Sequence, residues 1–432
     1  MSTNKVSEKV IAVGVVLPDQ TRRVAEEHLD ELEKLIQTAG GVVVAKVLAK
    51  REAPDAATWI GSGKAEEIGK LAGKQRASLV VFDDDLSPAQ TRNLEKIIGG
   101  KVIDRSALIL DIFAGRARSR EARTQVELAQ LEYMLPRLTR QWSHLERQAG
   151  GIGTRGVGET QLEIDRRIVR NRISQLKSEL QKIERTRQTQ RKARRAAVFT
   201  VALVGYTNAG KSTLFNRLTG GSAWAVDKLF ATLDAKSQRM SFPMPRATVI
   251  IDTVGFVRKL PHHLVASFRS TMEEAVSADL VLHVIDSTHE EQREVGEAVL
   301  RDLGIPLERV IDVYNKEDLG SQGLEVSRSR GGHFETAQPR NHVTSLSALT
   351  GDGIEQLVDI IRERELAGGE VVDLEIPHDE SRALAKLHEV AEVYAQRPAD
   401  RATHITAWIP KTALHQFAHF SLSNFRKRAK VG

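Results

Sequence analysis

Short apolar runs alternate with amphipathic segments over the first quarter of the chain. The runs Val10–Leu17, Gly41–Val47 and Leu79–Phe82 have the length and composition of buried strands. Between the first two, the apolar residues of Leu29–Ile36 recur at helical spacing. Strands that alternate with helices in this way form parallel sheets, so residues 1–115 are predicted to be an N-terminal parallel α/β domain.

The next segment has the heptad spacing of packed helices. Its first seam comprises Leu128, Leu131, Leu135, Leu138, Trp142 and Leu145, and its second comprises Leu162, Val169, Ile173, Leu176, Leu180 and Ile183. Between the seams, Gly150–Gly158 holds five glycines in nine residues. The pattern predicts an antiparallel helical hairpin over residues 116–196 with a glycine-rich tip, and a kink in its first arm at Pro136.

Strand-like and helix-like segments alternate again from Val198 to about Arg364. We interpret residues 197–366 as a doubly wound domain. Beyond it, apolar runs at 374–376 and 405–409 flank a helical pattern at 384–394, which predicts a small C-terminal α/β domain over residues 367–432.

Composition narrows the class of protein. The 432 residues include no cysteine, which excludes disulfides and cysteine-ligated zinc. No apolar run approaches the ~18–20 residues of a membrane-spanning helix, and Met1–Lys5 lacks the apolar core of a signal peptide. We expect a monomeric cytoplasmic protein without stable membrane insertion; peripheral attachment to a membrane is left open.

The positive charge is concentrated in the predicted hairpin. The formal net charge is +6, yet residues 116–195 hold 20 Lys and Arg against 9 Asp and Glu. One interpretation is a solvated, salt-bridged pair of helices that links two domains. The other is a surface for a polyanion, in which the flexible tip and Arg155 probe nucleic acid. The length of the glycine-rich segment favours the second, because a simple connection is served by a shorter turn.

The most specific motif is Gly205–Ser212, which fits G-x-x-x-x-G-K-[ST]. It follows the apolar run Val201–Val204 and precedes a helical segment, so backbone N–H groups and the helix dipole converge on a phosphate. Lys211 is predicted to reach the β- and γ-phosphates, and Ser212 to hold Mg²⁺. The shorter sequence Gly61–Lys64 lacks the spacing and the preceding strand, and we interpret it as a turn.

Elements further along the chain identify the base. Val249–Gly255 is a strand that ends in D-x-x-G, where Asp252 can orient a Mg²⁺-bound water and the Gly255 N–H can contact a γ-phosphate. Asn315–Asp318 is an N-K-x-D element, in which the Asp318 carboxylate accepts from guanine N1–H and the exocyclic amine. Adenine offers no such pair of donors. The backbone of Ser345–Ala348 is predicted to meet guanine O6.

Together these motifs resemble the GTPases of the P-loop class. The resemblance implies that Thr232 is the switch I threonine that completes the Mg²⁺ and γ-phosphate site. Phe256 stands where many such GTPases have a water-orienting glutamine, so we expect slow intrinsic hydrolysis that a partner stimulates. Asn208 resembles the loop residue of GTPases that hold K⁺ near the phosphates; hydrogen bonding within the loop is the alternative.

The complete set of predicted site residues follows from these motifs. The nucleotide-binding residues are Gly205, Tyr206, Thr207, Asn208, Ala209, Gly210, Lys211, Ser212, Phe230, Ala231, Thr232, Leu233, Asp234, Asp252, Thr253, Val254, Gly255, Asn315, Lys316, Glu317, Asp318, Ser345, Leu346, Ser347 and Ala348. The Mg²⁺ ligands are Ser212 and Thr232, with Asp252 acting through water, and the catalytic groups are Lys211, Thr232 and Gly255. The candidates for contact with nucleic acid, at the tip of the predicted hairpin, are Gly151, Gly153, Arg155, Gly156 and Gly158.

Two long motifs point to one family. The tip and its flank, Gly150–Glu163, and the run Asp252–Pro261 resemble the signatures of the HflX family, and the order of domains is similar across roughly residues 10–365. The resemblance implies a GTPase that binds the 50S ribosomal subunit, places its hairpin against rRNA, and splits stalled 70S ribosomes under stress.

Two alternatives are left open at this point. One is a GTPase that assists ribosome assembly or RNA modification, which would share every nucleotide motif. The other is a non-ribosomal regulator, switched by GTP, that uses the hairpin as a protein-binding coiled coil.

Overall fold

The computed structural model describes residues 7–18, 20–138, 161–195, 198–221, 229–230, 233–244, 247–259, 272–289, 291–319 and 343–422. The chain forms two compact units. The first contains residues 1–183, 226–234 and 257–269, and the second contains residues 184–225, 235–256 and 270–432. Two short segments of the predicted nucleotide domain therefore pack with the first unit.

The first unit begins with a four-stranded parallel sheet in the order β2-β1-β3-β4. Its strands are β1 (Lys9–Val16), β2 (Val42–Lys50), β3 (Leu79–Phe82) and β4 (Lys101–Asp104). Its helices are α1 (Arg22–Ala39), α2 (Ser62–Gln75), α3 (Pro88–Ile98) and α4 (Arg105–Arg116). Leu29, Leu32, Leu35 and Ile36 are buried in α1, so the predicted parallel α/β fold is confirmed.

The interpretation of Gly61–Lys64 as a turn is wrong for most of that sequence. Gly61 is the N-cap of α2 with φ 84°, and Ser62, Gly63 and Lys64 form the first turn of the helix. The glycine supplies the left-handed entry that a residue with a side chain rarely adopts.

Helices α5 (Arg120–Met134) and α6 (Gln161–Arg195) overlap the two heptad segments. The helix α5 includes Leu128 and Leu131 of the first seam, whereas Leu135 and Leu138 follow it, and Trp142 and Leu145 lie outside the described residues. Leu128 and Leu176 are buried, and the ion pairs Arg120–Glu179, Arg172–Glu127 and Lys177–Glu132 join the two helices. The helix α5 ends at Met134 and passes into a turn over 135–138, so it is not a helix kinked at Pro136. Leu135 keeps helical backbone angles, but Pro136 has no N–H to continue the helical hydrogen-bonding pattern, so the helix ends there.

The second unit contains a six-stranded sheet in the order β10-β9-β8-β5-β7-β6. Its strands are β5 (Phe199–Gly205), β6 (Lys236–Arg239), β7 (Thr248–Asp252), β8 (Leu280–Asp286), β9 (Val310–Asn315) and β10 (Val343–Ser345), and only β6 is antiparallel to its neighbour. Its helices are α7 (Lys211–Thr219), the helical segment 272–277 (α8), α9 (Glu291–Asp302) and α10 (Ile354–Ala367). A single apolar core covers this doubly wound sheet.

The C-terminal part is a three-stranded antiparallel sheet in the order β11-β13-β12 with helices against it. Its elements are β11 (Gly369–Pro377), α11 (Ser381–Val390), β12 (Glu392–Pro398), β13 (Ala402–Pro410) and α12 (Lys411–Phe417). The predicted helix at 384–394 is therefore too long. Ala391 is extended, and Val393 pairs with Ala407 of β13, which places Val393 and Tyr394 in a strand.

No helix in the described part of the chain is both long enough and apolar enough to cross a membrane.

Candidate nucleotide-binding site

The phosphate loop connects β5, a central strand of the sheet, to the N-terminus of α7. Tyr206 and Phe256 form an isolated bridge, and Thr207 N donates to Phe256 O at 2.7 Å. Gly210 is the N-cap of α7 with φ 94°. The strand, loop and helix N-terminus therefore have the order and geometry that bind a phosphate.

Lys211 is the first residue of α7, and its buried side chain reaches back to the start of the loop. Its Nζ donates to the carbonyl oxygens of Gly205 at 3.0 Å and Tyr206 at 2.7 Å. Burial is the main cause that lowers the pKa of Lys211 to about 8; Asp252 acts against this shift, and the nearby Lys316 adds to it. An anionic phosphate would raise the pKa of Lys211 as Asp252 does, so the charged form of Lys211 favours a negatively charged ligand.

Two predicted magnesium groups lie together beside Lys211. Ser212 Oγ donates to Asp252 Oδ2 at 2.9 Å, and Asp252 is fully buried at the end of β7. A hydroxyl and a carboxylate are the hard oxygen donors that Mg²⁺ takes, together with phosphate oxygens and water. In the described residues no group of three or more His, Cys, Asp or Glu is arranged to hold a metal ion.

The D-x-x-G element ends next to the phosphate loop. A Cβ built on Gly255 would lie 2.8 Å from Lys211 Nζ, so the Gly255 backbone is close to the ammonium group. The Phe256 side chain is 1% exposed and packs in the apolar core of the sheet. Phe256 therefore has a structural role and does not present a polar group to a nucleotide.

Asn315 connects the phosphate loop to the predicted guanine loops. Its Nδ2 donates to Ala209 O at 2.8 Å, and its Oδ1 accepts from Ala348 N at 2.8 Å. One buried side chain thus holds three segments that are far apart in the sequence.

The two predicted base-binding elements are also brought together. Ser347 Oγ donates to Asp318 Oδ1 at 2.6 Å, and the Asp318 side chain is exposed at the end of β9. Thr350 N in turn donates to Ser347 Oγ at 3.1 Å. The Asp318 carboxylate is therefore oriented by a neighbour and accessible to a base.

Asp286 is a residue of this site that sequence reasoning missed. Its Oδ2 accepts from Lys316 Nζ at 2.7 Å, and Lys316 has φ 70°. Burial acts to raise the pKa of Asp286, but hydrogen bonds from Lys316 and Thr288 hold it below its usual range. The position of Asp286 at the carboxyl end of β8 was the available signal, because ligands bind at that end of parallel strands.

The described part of switch I lies in the first unit. Phe230 is buried and its ring contacts Phe113 edge-on, with centroids 4.6 Å apart. The Asp234 carboxylate accepts from the backbone N–H groups of Arg118 at 2.9 Å and Ser119 at 3.1 Å. The structure thus places these two predicted nucleotide-binding residues against α4 and the start of α5.

Lys259, four residues after the D-x-x-G element, also lies in the first unit. Lys259 Nζ donates to Asp83 Oδ2 at 2.7 Å and Asp84 Oδ1 at 2.5 Å, both at the carboxyl end of β3. Burial acts to lower the pKa of Lys259, but the two carboxylates raise it above its usual value. The buried Arg105 also contacts Asp83, so this carboxylate serves two cations.

Several predicted residues lie outside the described residues. They are Ala231, Thr232 and the tip residues Gly151, Gly153, Arg155, Gly156 and Gly158.

Three family models match consecutive parts of the chain. Residues 26–114 match the N-terminal region and residues 116–194 the middle region of the GTP-binding GTPases, and residues 200–316 match a model described as 50S ribosome-binding GTPase. The GTPase HflX of Magnetococcus marinus is 43% identical over 412 residues, which are 93% of each chain. The GTPase HflX of Escherichia coli is 46% identical over 373 residues, 85% of this chain and 86% of the relative. The chain belongs to the HflX family.

Solved structures give a more distant likeness. A structure described as the complex of SsGBP with GDP covers 82% of this chain and 98% of its own, with 26% identity and a TM-score of 0.46. A GTP-binding protein from Sulfolobus solfataricus in complex with GDP covers the same shares with 25% identity and a TM-score of 0.43.

Membership of the HflX family and the P-loop fold show that the protein is a GTP hydrolase that binds GTP and GDP. Such folds generally use Mg²⁺ with the nucleotide.

Proposed function

We propose that this HflX-family GTPase binds the 50S ribosomal subunit and splits stalled or idle 70S ribosomes into subunits under stress. The observation that carries the proposal is a guanine-nucleotide site that follows directly on a basic helical region. Residues 116–195 hold 20 basic and 9 acidic side chains, and the phosphate loop begins at Gly205. The match of residues 200–316 to a 50S ribosome-binding GTPase supports the same partner.

In this proposal the nucleotide bound at the site determines how long the protein stays on the subunit. Lys211 would bind the β- and γ-phosphates, Ser212 and Thr232 would hold Mg²⁺, and Asp252 would act on the ion through water. Bound Mg²⁺ neutralises charge that develops on the transferred phosphoryl group. Asp318 and Ser347 select guanine. GTP favours the subunit-bound state, and hydrolysis permits release.

The burial of Phe256 supports a slow intrinsic reaction. Position 256 has no group that can orient the attacking water, so the ribosome supplies such a group or positions one. Help of this kind is worth ~10³–10⁵-fold in other GTPases.

The hairpin supplies the affinity for rRNA. The Arg172–Glu127, Lys177–Glu132 and Arg120–Glu179 pairs neutralise only part of the basic charge of α5 and α6. Counterions released from rRNA phosphates then contribute to binding, so affinity for the 50S subunit falls steeply as salt increases. The glycine-rich tip and Arg155 approach the RNA backbone closely.

Co-sedimentation with purified 50S subunits tests the partner. We expect pelleting with GTP that weakens steeply with salt, and a variant lacking residues 150–158 that binds GTP normally but binds 50S subunits poorly. Pelleting that is insensitive to both salt and ribonuclease would instead favour a protein-binding coiled coil. Loss of GTP binding in the deletion variant would show that the tip is structural.

A further inference from the structure

Asp234 forms an end cap on the first helix of the hairpin. Its Oδ2 accepts from Arg118 N and Ser119 N, and its Oδ1 accepts from Ser119 Oγ. Ser119 is itself the N-cap of α5, because its Oγ accepts from Ala122 N at 3.0 Å. A carboxylate is favoured at this position by the unpaired N–H groups and the dipole of a 15-residue helix.

Phe230 provides a second anchor four residues earlier. Its ring lies edge-on to Phe113 of α4, with an interplanar angle of 77°, and both rings are buried. Phe230 has φ 54°, a left-handed conformation that is strained for a bulky residue. Such strain persists only where the surroundings hold it in place. The contact with α4 thus holds Phe230, and with it this part of the switch I segment, in place.

Both anchors hold the same junction of the first unit. The helices α4 and α5 are joined by residues 117–119. Phe230 contacts α4 before this connection, and Asp234 accepts hydrogen bonds from its end. Thr232 lies midway between them in the sequence.

We propose that Asp234 is a positioning residue that transmits the nucleotide state of switch I to the base of the hairpin. The contact of Asp234 with Arg118 and Ser119 has a different strength in the GTP and GDP states, because Asp234 belongs to the switch I segment, which responds to the γ-phosphate. The inference rests on the proposed function in treating the hairpin as the element that acts on the ribosome. In that function, the contact of Asp234 connects the nucleotide site to the helical hairpin.

Thermodynamic linkage sets the size of the expected change in nucleotide affinity. If GTP changes the strength of the Asp234 contact by some factor relative to GDP, breaking the contact must change the ratio of GTP to GDP affinity by the same factor. Couplings of this kind are about 5- to 150-fold. A cap with a purely structural role would leave that ratio unchanged.

Hydrogen exchange on the full-length protein without ribosomes tests the contact. With Mg²⁺ and either GDP or a non-hydrolysable GTP analogue, we expect the amides of residues 118–122 to exchange at rates that differ about fivefold or more. In Asp234→Ala these amides exchange fast in both states, and the ratio of GTP-analogue to GDP affinity shifts by a similar factor. Asp234→Asn keeps one oxygen acceptor, so we expect an intermediate effect on exchange and on the affinity ratio. This second variant allows the test to be made if Asp234→Ala does not fold.

Asp302→Asn is the matched control, because it removes an exposed carboxylate at the end of α9. It should behave as the unmodified protein does. Equal exchange of residues 118–122 in the two nucleotide states of the unmodified protein would overturn the proposal. So would an unchanged affinity ratio in both Asp234 variants. Neither result depends on ribosome binding, so failure here is distinct from failure of the proposed function.

Discussion

Gly210 and Asn315 are so close that no larger residue fits at position 210. A Cβ built on Gly210 would lie 2.0 Å from Asn315 Nδ2, far inside the normal contact distance. The same Nδ2 donates to Ala209 O, so the amide is held against the phosphate loop. The phosphate loop and the predicted guanine-binding loop at Asn315 are therefore packed against each other.

Gly210→Ala should weaken GTP and GDP binding by roughly 100-fold, because either Asn315 or the phosphate loop must move and buried hydrogen bonds are lost. The φ of 94° adds strain for any residue with a side chain. Titration of labelled nucleotide checks this. Gly63→Ala in the Gly61–Lys64 sequence is the matched control, since a Cβ there meets nothing within 4 Å, and its affinity should be normal.

Asp318→Asn should change the preferred base from guanine to xanthine. The amide cannot accept from both guanine N1–H and the exocyclic amine, but it can donate to the carbonyl that xanthine carries at position 2. We expect GTP affinity to fall by about 100-fold or more while XTP affinity rises. Competition between the two nucleotides measures the change, with Asp302→Asn as the control. A variant that still preferred GTP would place base recognition elsewhere.

Nucleotide affinity should depend on the protonation of Lys211. The free protein has a lowered pKa of about 8 at this residue, and phosphate binding requires the cation. Affinity is therefore full below pH 7 and falls as pH rises through 8, with a Kd about fourfold higher at pH 8.5 than at pH 7. Conversely, the nucleotide-free protein gains stability over this rise, because the unfavourable buried charge is lost. Calorimetry at pH 8 should show proton uptake on binding; a constant Kd and no uptake would be inconsistent with a buried, partly neutral Lys211.

Potassium should stimulate GTP hydrolysis more than sodium does. Asn208 lies exposed in the phosphate loop with φ 65°, which leaves its side chain accessible to a cation near the phosphates. At equal ionic strength we expect rates roughly tenfold higher in K⁺ than in Na⁺, since a fixed positive charge stabilises the transition state. Asn208→Ala should lose the difference, whereas Asn93→Ala, which removes a hydrogen bond to Ala57 O in the first unit, should retain it. Equal rates in the two salts would assign Asn208 to loop hydrogen bonding alone.

The nucleotide site could be predicted from the sequence because each of its motifs is short and set by ligand chemistry. Gly205–Ser212, Asp252, Asn315, Asp318 and Ser347 needed only their spacing and the strands before them to be placed. The parallel sheet of the first domain followed from alternating apolar runs in the same way.

Other features depend on contacts that no local pattern encodes. The cap of Asp234 on Ser119 and the pair of Lys259 with Asp83 join residues more than 100 positions apart. The helix assigned to 384–394 failed because pairing with β13 outweighed the helical pattern around Tyr394. Asp286 was missed since a carboxylate at a strand end has no motif of its own.

The most direct test of the central claim is to incubate purified 70S ribosomes with the protein and GTP and to separate the products on a sucrose gradient. We predict that 70S particles are converted to 30S and 50S subunits, with the protein on the 50S fraction. The variants Gly210→Ala and the deletion of 150–158 should fail, and Gly63→Ala should succeed. Intact 70S particles at saturating protein and GTP would contradict ribosome splitting, and the protein bound instead to immature subunits would point to a role in assembly.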